Sequence, residues 1–252
     1  MDETTAMNKD VVLACQGIDY SYGELPVLKE VSLELKKGEY VSVLGQSGTG
    51  KTTLFNVLAG LDKPTSGVVH RSATVGYMLQ KDMLLPWKRL IDNVSLPFVL
   101  GGDKRGAARQ KALPFFERFG LKGLEYRYPS ELSGGQQKRA AFLRTFLYSN
   151  GLMLLDEPFT GLDAITRDEM YRFLLQNKKT LGLSILIVTH DIEEAITLSD
   201  RLYVLSNDSP ATLWPPLVIP REENEQDRYI VTGQLRDEVR RRIFSPILKS
   251  VE

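Results

Sequence analysis

Residues 45–52 read GQSGTGKT, and they constrain the fold more than any other stretch of the chain. They fit the pattern G-x-x-x-x-G-K-[ST], in which a glycine-rich loop joins a buried strand to the start of a helix. The mostly apolar residues 40–44 precede the pattern and residues 54–58, LFNVL, follow it, as that arrangement requires. The sequence therefore predicts a strand, a loop and a helix in this order. A glycine-rich turn that matches a short pattern by chance is the alternative.

The chemistry that this loop serves is the binding of nucleotide phosphates. Glycines let backbone N–H groups converge on an anion, and the helix N-terminus adds partial positive charge. Lys51 is predicted to reach the β- and γ-phosphates of ATP, and the Thr52 hydroxyl to ligate the accompanying Mg²⁺. The predicted nucleotide contacts in this segment are Gly45, Gln46, Ser47, Gly48, Thr49, Gly50, Lys51, Thr52 and Thr53.

A second candidate centre follows the apolar residues 152–155, which are typical of a strand buried on both faces of a parallel sheet. The run ends in Asp156, Glu157 and Pro158. Asp156 is suited to hold Mg²⁺, and Glu157 to polarise the water that attacks the γ-phosphate. A solvated acidic turn after a core strand is the alternative for this pair taken alone.

Residues 132–139 read LSGGQQKR and precede a run of helix-forming residues. Ser133 is predicted to cap this helix, with Gln136 completing a capping box. Lys138 and Arg139 then fall in its early turns, where the helix dipole favours acidic side chains. A phosphate at the helix N-terminus would resolve this conflict, because backbone donors and basic side chains would face one anion. An ordinary capped helix with solvated basic side chains is the alternative.

Together with GLD at residues 161–163 and SILIVTH at residues 184–190, these motifs resemble those of the ATP-binding cassette (ABC) ATPases. The resemblance covers roughly residues 11–206, and LSGGQ separates this family from other ATPases with the same loop. It implies head-to-tail dimers in which ATP lies between the phosphate loop of one subunit and the LSGGQ segment of the other. The expected partner is a second ATPase subunit, with a homodimer as the first expectation. The residues that would reach ATP held by the second subunit are Ser133, Gly134, Gly135 and Gln136.

The resemblance assigns catalytic roles to two further residues. Gln80, at the end of the strand-like residues 74–79, resembles the glutamine that senses Mg²⁺ and the transported partner. His190 ends a second strand-like run and resembles the histidine that contacts the γ-phosphate, although a single histidine is more often structural. The predicted catalytic residues are therefore Glu157, His190 and Gln80. The predicted Mg²⁺ ligands are Thr52, Gln80 and Asp156.

Two more nucleotide contacts follow from the resemblance. Asp163 matches the aspartate that communicates between the paired sites of a dimer. Tyr22 matches the aromatic residue on which adenine stacks, with Tyr20 the less favoured choice. The alternative for Tyr22 is a strand tyrosine that packs in the core.

For the fold, the resemblance implies an α/β phosphate-loop NTPase core with a parallel-sheet RecA-like subdomain, an antiparallel β edge and an inserted α-helical signature subdomain. We expect one ABC ATPase domain over residues 1–252. Its expected parts are a nucleotide-binding core (residues 11–80 and 150–206), a helical subdomain with LSGGQ (81–149) and a carboxyl-terminal extension (207–252).

Composition agrees with a globular chain. With 252 residues, of which 42% are hydrophobic, the chain can bury a sizeable core. The 32 basic and 32 acidic residues balance, so we expect no nucleic-acid partner. No apolar stretch approaches the roughly 20 residues of a membrane span, and the start of the chain does not resemble a signal peptide. The single cysteine, Cys15, is predicted to be buried, and a helix is predicted near residues 232–244.

The predicted function is ATP hydrolysis that powers uptake of a small solute through a membrane permease. The chain is most similar to ATPase subunits of nitrate, sulfonate and taurine importers, and related nutrients are open as cargo. The expected partners are integral membrane permease subunits and an extracytoplasmic solute-binding protein. We expect the chain to be peripheral, on the cytoplasmic face of the cell membrane. The alternatives are the ATPase of an exporter or lipoprotein-release system and a non-transport ABC ATPase.

The region after Gln80 is where the family docks a cytoplasmic permease helix. Four large apolar residues crowd there, namely Met83, Leu84, Leu85 and Trp87. Pro86 and Trp87 are the favoured docking pair. Packing inside the helical subdomain is the alternative for about half of these side chains.

Overall fold

A computed structural model describes residues 10–149, 151–220 and 233–244 of the chain. The strands are β1 (Val11–Tyr22), β2 (Leu25–Lys36), β3 (Tyr40–Leu44), β4 (Ser66–Arg71), β5 (Val75–Met78), β6 (Leu152–Asp156), β7 (Ser184–Thr189), β8 (Arg201–Val204) and β9 (Leu217–Val218). The helices are α1 (Lys51–Ala59), α2 (Leu90–Val94), α3 (Leu96–Leu100), α4 (Arg105–Arg118), α5 (Gly134–Tyr148), α6 (Ala164–Leu181), α7 (Ile192–Leu198) and α8 (Gly233–Phe244).

Two compact units make up the chain. Unit 1 comprises residues 1–73 and 182–252, and unit 2 comprises residues 74–181. The boundaries that the sequence suggested, at residues 80 and 150, stay a prediction. In the described part of the chain, no helix combines the length and the apolar character that crossing a membrane requires.

The first layer of unit 1 is an antiparallel sheet in the order β2-β1-β4. The inward-facing residues of β1 and β2 are apolar and buried, among them Leu13, Ile18 and Val31. Cys15 is buried in the same sheet, as predicted, and burial raises the pKa of its thiol to about 12. The expected antiparallel β edge is thus confirmed.

The second layer of unit 1 is parallel around β3. This strand pairs in parallel with β7 on one side and with β8 on the other, while β9 joins β8 in antiparallel fashion. All residues of β3 and β7 are buried, which explains why both sequences are mostly apolar and show no alternation. Leu44 pairs with Thr189, so the carboxyl ends of β3 and β7 lie side by side.

The helix predicted near residues 232–244 is present as α8. Its buried residues Val239 and Ile243 pack in one apolar cluster with Leu44 and Ile196. Arg236 of α8 also forms an ion pair with Glu193, with 2.6 Å between the nitrogen and the oxygen. The end of β3 therefore rests on a cluster to which the carboxyl-terminal helix contributes.

Unit 2 combines two parallel strands with helices. β5 pairs with β6 in parallel, from Val75 opposite Leu152 to Met78 opposite Leu155. The helical part packs around aromatic rings, where Phe119 lies 5.0 Å from the ring of Phe173. The other rings in this cluster are Phe115, Phe142 and Phe146. The expected α-helical region with LSGGQ at the start of a helix is thus observed as α5.

Candidate active site

In unit 1, residues 45–50 form the turn between β3 and α1 that the sequence predicted. Gly50 caps α1 in the left-handed conformation, at φ 96°, and only glycine adopts it without strain. A side chain at this position would also meet Val27 at 2.9 Å and Leu28 at 3.1 Å. The first turn of α1 has no acidic residue, so no side chain of that turn offsets the partial positive charge of the helix N-terminus.

Lys51 is folded back over this turn. Its ammonium donates to the carbonyl oxygens of Gly45 at 2.9 Å and of Gln46 at 2.6 Å. The side chain is buried, and Thr49 adds a hydroxyl hydrogen bond to the Gln46 oxygen at 2.9 Å. The loop therefore holds its lysine in place through its own carbonyl groups.

Three predicted nucleotide contacts lie close to the start of α1. Thr52 is exposed, whereas Thr53 is buried. The hydroxyls of Tyr22 and Thr53 form a hydrogen bond at 3.3 Å, which places the tyrosine beside the phosphate-loop helix. Tyr22 is 53% exposed, so the alternative that it packs in the core is wrong. Its ring meets Tyr20 edge-on, with the centroids 5.0 Å apart.

His190 follows β7 at the edge of the sheet where the phosphate loop begins. The Gly45 N–H donates to the Thr189 carbonyl at 3.4 Å, so the two segments are neighbours. His190 is exposed, and Asp191 caps α7 by accepting from the N–H groups of Glu193 and Glu194. Ligands of parallel sheets bind at this carboxyl edge. The histidine is thus on the surface beside the loop.

In unit 2, Asp156 ends β6 and is buried, so the alternative of a solvated acidic turn is wrong for it. The Tyr77 hydroxyl of β5 donates to Asp156 Oδ2 at 3.4 Å. Burial, together with the Asp156 carboxylate, raises the pKa of Tyr77, which keeps the phenol protonated. No local sequence pattern marks this contact, which joins positions 79 residues apart.

Glu157 adopts φ 46°, an uncommon conformation that costs a residue with a side chain on the order of 1–3 kcal/mol. Its Oε2 accepts from Gln80 Nε2 at 3.1 Å and from the Thr160 hydroxyl at 3.2 Å. Two predicted catalytic residues, 77 positions apart, therefore touch in unit 2. Thr160 was not predicted as a partner.

The start of α5 forms the capping box that the sequence predicted. The Gln136 N–H donates to Ser133 Oγ at 3.3 Å, and the Ser133 N–H donates to Gln136 Oε1 at 3.0 Å. Ser133 and Gly134 are exposed, and a Cβ on Gly134 would have no atom within 4 Å apart from its chain neighbours and the backbone of its own helix. Of the predicted signature residues, Ser133 and Gly134 are therefore open to contact from outside the helix.

Asp163 and Gly135 meet through Thr166. The Asp163 carboxylate accepts from the Thr166 N–H at 3.0 Å and from its hydroxyl at 2.6 Å, which caps α6. These hydrogen bonds hold the pKa of Asp163 below its usual value. A Cβ added to Gly135 would lie 2.3 Å from Thr166 Cγ2. The glycine is thus required for α5 to approach the start of α6.

Lys138 and Arg139 do not serve the purpose that the sequence suggested. The hypothesis that both face an anion at the N-terminus of α5 is wrong, because each has a partner within the chain. Lys138 Nζ lies 2.9 Å from Asp82 Oδ1, and Arg139 forms an ion pair with Glu169. Tertiary contacts, which no local sequence pattern reveals, determine the positions of these two basic side chains.

The loop after Gln80 is partly exposed. Trp87 is 71% exposed and Met83 is 58% exposed, whereas Leu84 and Leu85 are half-buried. Asn93, which is fully buried, braces this loop by accepting from the Leu85 N–H at 2.7 Å and donating to the Leu85 carbonyl at 3.1 Å. The asparagine was not predicted, since nothing in its own sequence neighbourhood marks it.

Comparison with known proteins decides the family. Residues 28–160, more than half of the chain, match the family described as ABC transporter. The chain belongs to the ABC transporter family. It is a nucleotide-binding ATPase of that family, as the phosphate loop, LSGGQ and the paired carboxylates predicted.

Several curated ABC relatives have similar length. The formylaminopyrimidine import ATP-binding protein ThiZ of Halalkalibacterium halodurans is 43% identical over 199 residues, which cover 78% of this chain and 80% of the relative. The aliphatic sulfonates import ATP-binding protein SsuB 1 of Shouchella clausii is 42% identical over 82% of this chain and 83% of its own. The taurine import ATP-binding protein TauB of Yersinia pestis is 40% identical over 77% of this chain and 80% of its own.

Solved structures of ABC cassettes share the fold. The dimeric post-hydrolysis state of the cassette MJ0796, bound to ADP and Pi, has a TM-score of 0.72 at 28% identity and covers 83% of this chain and 100% of its own. The cbiO1 protein from Clostridium perfringens, part of the ABC transporter complex cbiONQ, has a TM-score of 0.74 at 26% identity. It covers 82% of this chain and 88% of its own. The predicted α/β fold is thereby confirmed.

The two signature glycines of this ABC ATPase should respond differently to alanine. Gly135→Ala places a methyl group against Thr166, so it should lower the free energy of unfolding by about 1–3 kcal/mol. Gly134→Ala meets open space and should change that free energy by less than about 1 kcal/mol. Urea unfolding of the two variants measures both values. Equal destabilisation would contradict the packing described for Gly135.

Proposed function

We propose that this ABC ATPase powers the uptake of a small solute through a membrane permease. The observation that carries the proposal is the identity of 40% to 43% with ATPases named for the import of taurine, aliphatic sulfonates and formylaminopyrimidine. The proposed cargo is a small nutrient of this kind, such as nitrate, a sulfonate, taurine or a related compound. An ATPase subunit carries no contact to cargo, so the chain itself does not choose among them.

Residues of unit 1 bind ATP in this proposal. The backbone donors of the phosphate loop and the N-terminus of α1 receive the phosphates, and Lys51 provides the positive charge. Tyr22 stacks on adenine, which its exposed ring beside Thr53 supports. The remaining proposed contacts are Gly45, Gln46, Ser47, Gly48, Thr49, Gly50 and Thr52.

The proposed metal ion is Mg²⁺, held by Thr52, Gln80 and Asp156. These residues offer a hydroxyl, an amide oxygen and a carboxylate, which are the oxygen donors that Mg²⁺ prefers. The described residues contain no group of three or more histidines, cysteines or acidic residues that could hold a metal by themselves. When bound, Mg²⁺ would neutralise charge on the phosphates.

Glu157 acts as the general base. Its carboxylate takes a proton from water while the water oxygen attacks the γ-phosphorus, and the bond from that phosphorus to the bridging oxygen of ADP breaks. Gln80 and Thr160 orient the carboxylate through the hydrogen bonds described above. His190, exposed at the sheet edge beside Gly45, contacts the γ-phosphate and steadies the attacking water.

A second copy of the chain completes each site. Ser133, Gly134, Gly135 and Gln136 are proposed to contact ATP bound to the phosphate loop of the other copy, with Asp163 communicating between the paired sites. The open space at Gly134 supports a contact outside its own chain. The dimeric MJ0796 cassette with bound ADP and Pi supports the pairing of two copies.

The loop from Gln80 to Trp87 is proposed to meet the permease. Exposed Met83 and Trp87 give it an apolar surface. ATP-driven closure of the dimer would move docked permease helices, and hydrolysis would reopen it. In this proposal the chain is peripheral on the cytoplasmic face of the membrane and works with a solute-binding protein on the other side. Residues 81–149 are proposed to form the helical subdomain that carries this loop.

Replacing the proposed base should separate binding from hydrolysis. Glu157→Gln keeps the size of the side chain but cannot accept a proton, so hydrolysis should fall by about 10²- to 10⁴-fold. Binding of a fluorescent ATP analogue should be retained. Phosphate release and equilibrium titration measure the two quantities. Glu117→Gln is the matched control, because Glu117 is an exposed carboxylate that forms an ion pair with Lys122. Hydrolysis unchanged in Glu157→Gln would contradict the assigned base.

Import can be tested by the partners that the chain retains in its own cell. A tagged chain, purified in mild detergent and analysed by mass spectrometry, should bring down a polytopic permease. Cells that express the system should also contain a solute-binding protein that supports uptake. A permease without any binding protein would favour export or lipoprotein release. Ribosomal or DNA-processing partners without a membrane protein would contradict transport.

A further inference from the structure

Lys138 lies in the signature helix α5, yet its ammonium is buried and is directed at the loop that follows β5. Its side chain is only 7% exposed. Nζ donates to the backbone carbonyl of Gln80 at 2.8 Å and lies 2.9 Å from Asp82 Oδ1. A buried lysine without such partners would be costly, so the pairing fixes both the ammonium and the loop.

A second basic residue of α5, about two turns after Lys138, binds the same loop. Arg144 donates from one terminal nitrogen to the Met83 carbonyl at 2.8 Å and from the other to the Asp82 carbonyl at 2.7 Å. Met83 has φ 49°, a conformation that a residue with a side chain keeps only when its surroundings hold it. Three loop carbonyls are thus bound by charged donors of one helix.

These contacts continue to the proposed base. Lys138 binds the backbone of Gln80, and the side chain of Gln80 donates to Glu157 Oε2 at 3.1 Å. The backbone of the loop then runs to the exposed Trp87. One helix therefore carries Ser133 and Gly134 at its start and, one turn later, the lysine that holds the partner of Glu157.

We propose that Lys138 is a positioning residue that, together with Arg144, clamps the Gln80 loop to the signature helix. The clamp holds the Gln80 amide against Glu157, and it makes a displacement of the loop at Met83 and Trp87 displace the start of α5 as well. The effect on hydrolysis rests on the proposed function, whereas the clamp itself does not.

The clamp can be measured without any enzymatic readout. In hydrogen–deuterium exchange of the full chain, Lys138→Met should raise exchange in residues 80–85 by about 10-fold or more, because the loop opens locally. Exchange in α1 and β3 should not change. Lys122→Met is the matched control, since the ion pair of Lys122 with Glu117 is exposed and neither residue belongs to the loop. Unchanged exchange in residues 80–85, or an equal rise in β3, would overturn the proposal.

Kinetics then tests positioning. In Lys138→Met, kcat per bound ATP should fall by about 10- to 100-fold, because a loop displaced by about 1 Å no longer aligns Gln80 with Glu157. The Kd of a fluorescent ATP analogue should stay within about 2-fold of the wild-type value. Lys138→Arg keeps the charge and should retain most of kcat. A loss confined to ATP affinity, or an equal loss in Lys138→Arg and Lys138→Met, would overturn the positioning role.

A second variant covers the case in which Lys138→Met does not fold. Asp82→Asn is nearly isosteric and removes only the carboxylate charge. It should also raise hydrogen–deuterium exchange in residues 80–85, with a smaller loss of kcat than in Lys138→Met. A wild-type chain without ATPase activity would overturn the proposed function while the exchange result still decides the clamp. If the wild type hydrolyses ATP but exchange in residues 80–85 is unchanged in both variants, the clamp alone is overturned.

Discussion

The turn that leads from β3 into α1 is the constraint on which unit 1 depends. Gly50 adopts a left-handed conformation, and a Cβ at this position would lie 2.9 Å from Val27 Cγ1 and 3.1 Å from Leu28 Cδ2, so a side chain would force its neighbours to shift. Lys51 donates hydrogen bonds to the carbonyl oxygens of Gly45 and Gln46. The partial negative charge of these oxygens would otherwise repel an anion in the turn. The strand that leads into the turn is held between β7 and β8 and is buried throughout, so the loop starts from a rigid base.

Unit 2 achieves order in a different way. Its functional residues lie in loops after β5 and β6 and at the start of α5 and α6, where ladder hydrogen bonds end. Side chains replace them, with Asp163 capping α6, Asn93 bracing the loop at Leu85, and Lys138 binding the carbonyl of Gln80. Each of these side chains is polar and is held by hydrogen bonds. A small displacement of a loop therefore breaks specific hydrogen bonds.

Features set by short spacing were predictable from the sequence. Apolar runs located β3 and β7, and the S-x-x-Q spacing located the capping box of Ser133 and Gln136. The carboxylate at the end of β6 was likewise predicted from the apolar run that precedes it. These signals are local, because strand burial and helix capping depend on residues within a few positions of one another.

The contacts that the sequence did not reveal join distant positions. Lys138 is 58 residues from Gln80, and Tyr77 is 79 residues from Asp156. Lys138 and Arg139 were therefore assigned to an anion, although their partners lie on other segments of the chain. Leaving the buried Lys138 ammonium without its partner would cost about 3–5 kcal/mol, whereas a charge near a helix terminus contributes about 0.3–1 kcal/mol, so tertiary contacts decide the position of this side chain.

Mixed dimers test most directly the claim that two copies share each ATP site. Lys51→Ala removes the phosphate-loop charge, and Gly134→Asp adds a repelling carboxylate at a place where the chain leaves open space. Each variant alone should be inactive, whereas the heterodimer, isolated through two different tags, should regain about half of the wild-type rate, since one of its two equivalent sites is intact. A heterodimer as inactive as either parent would contradict the shared site.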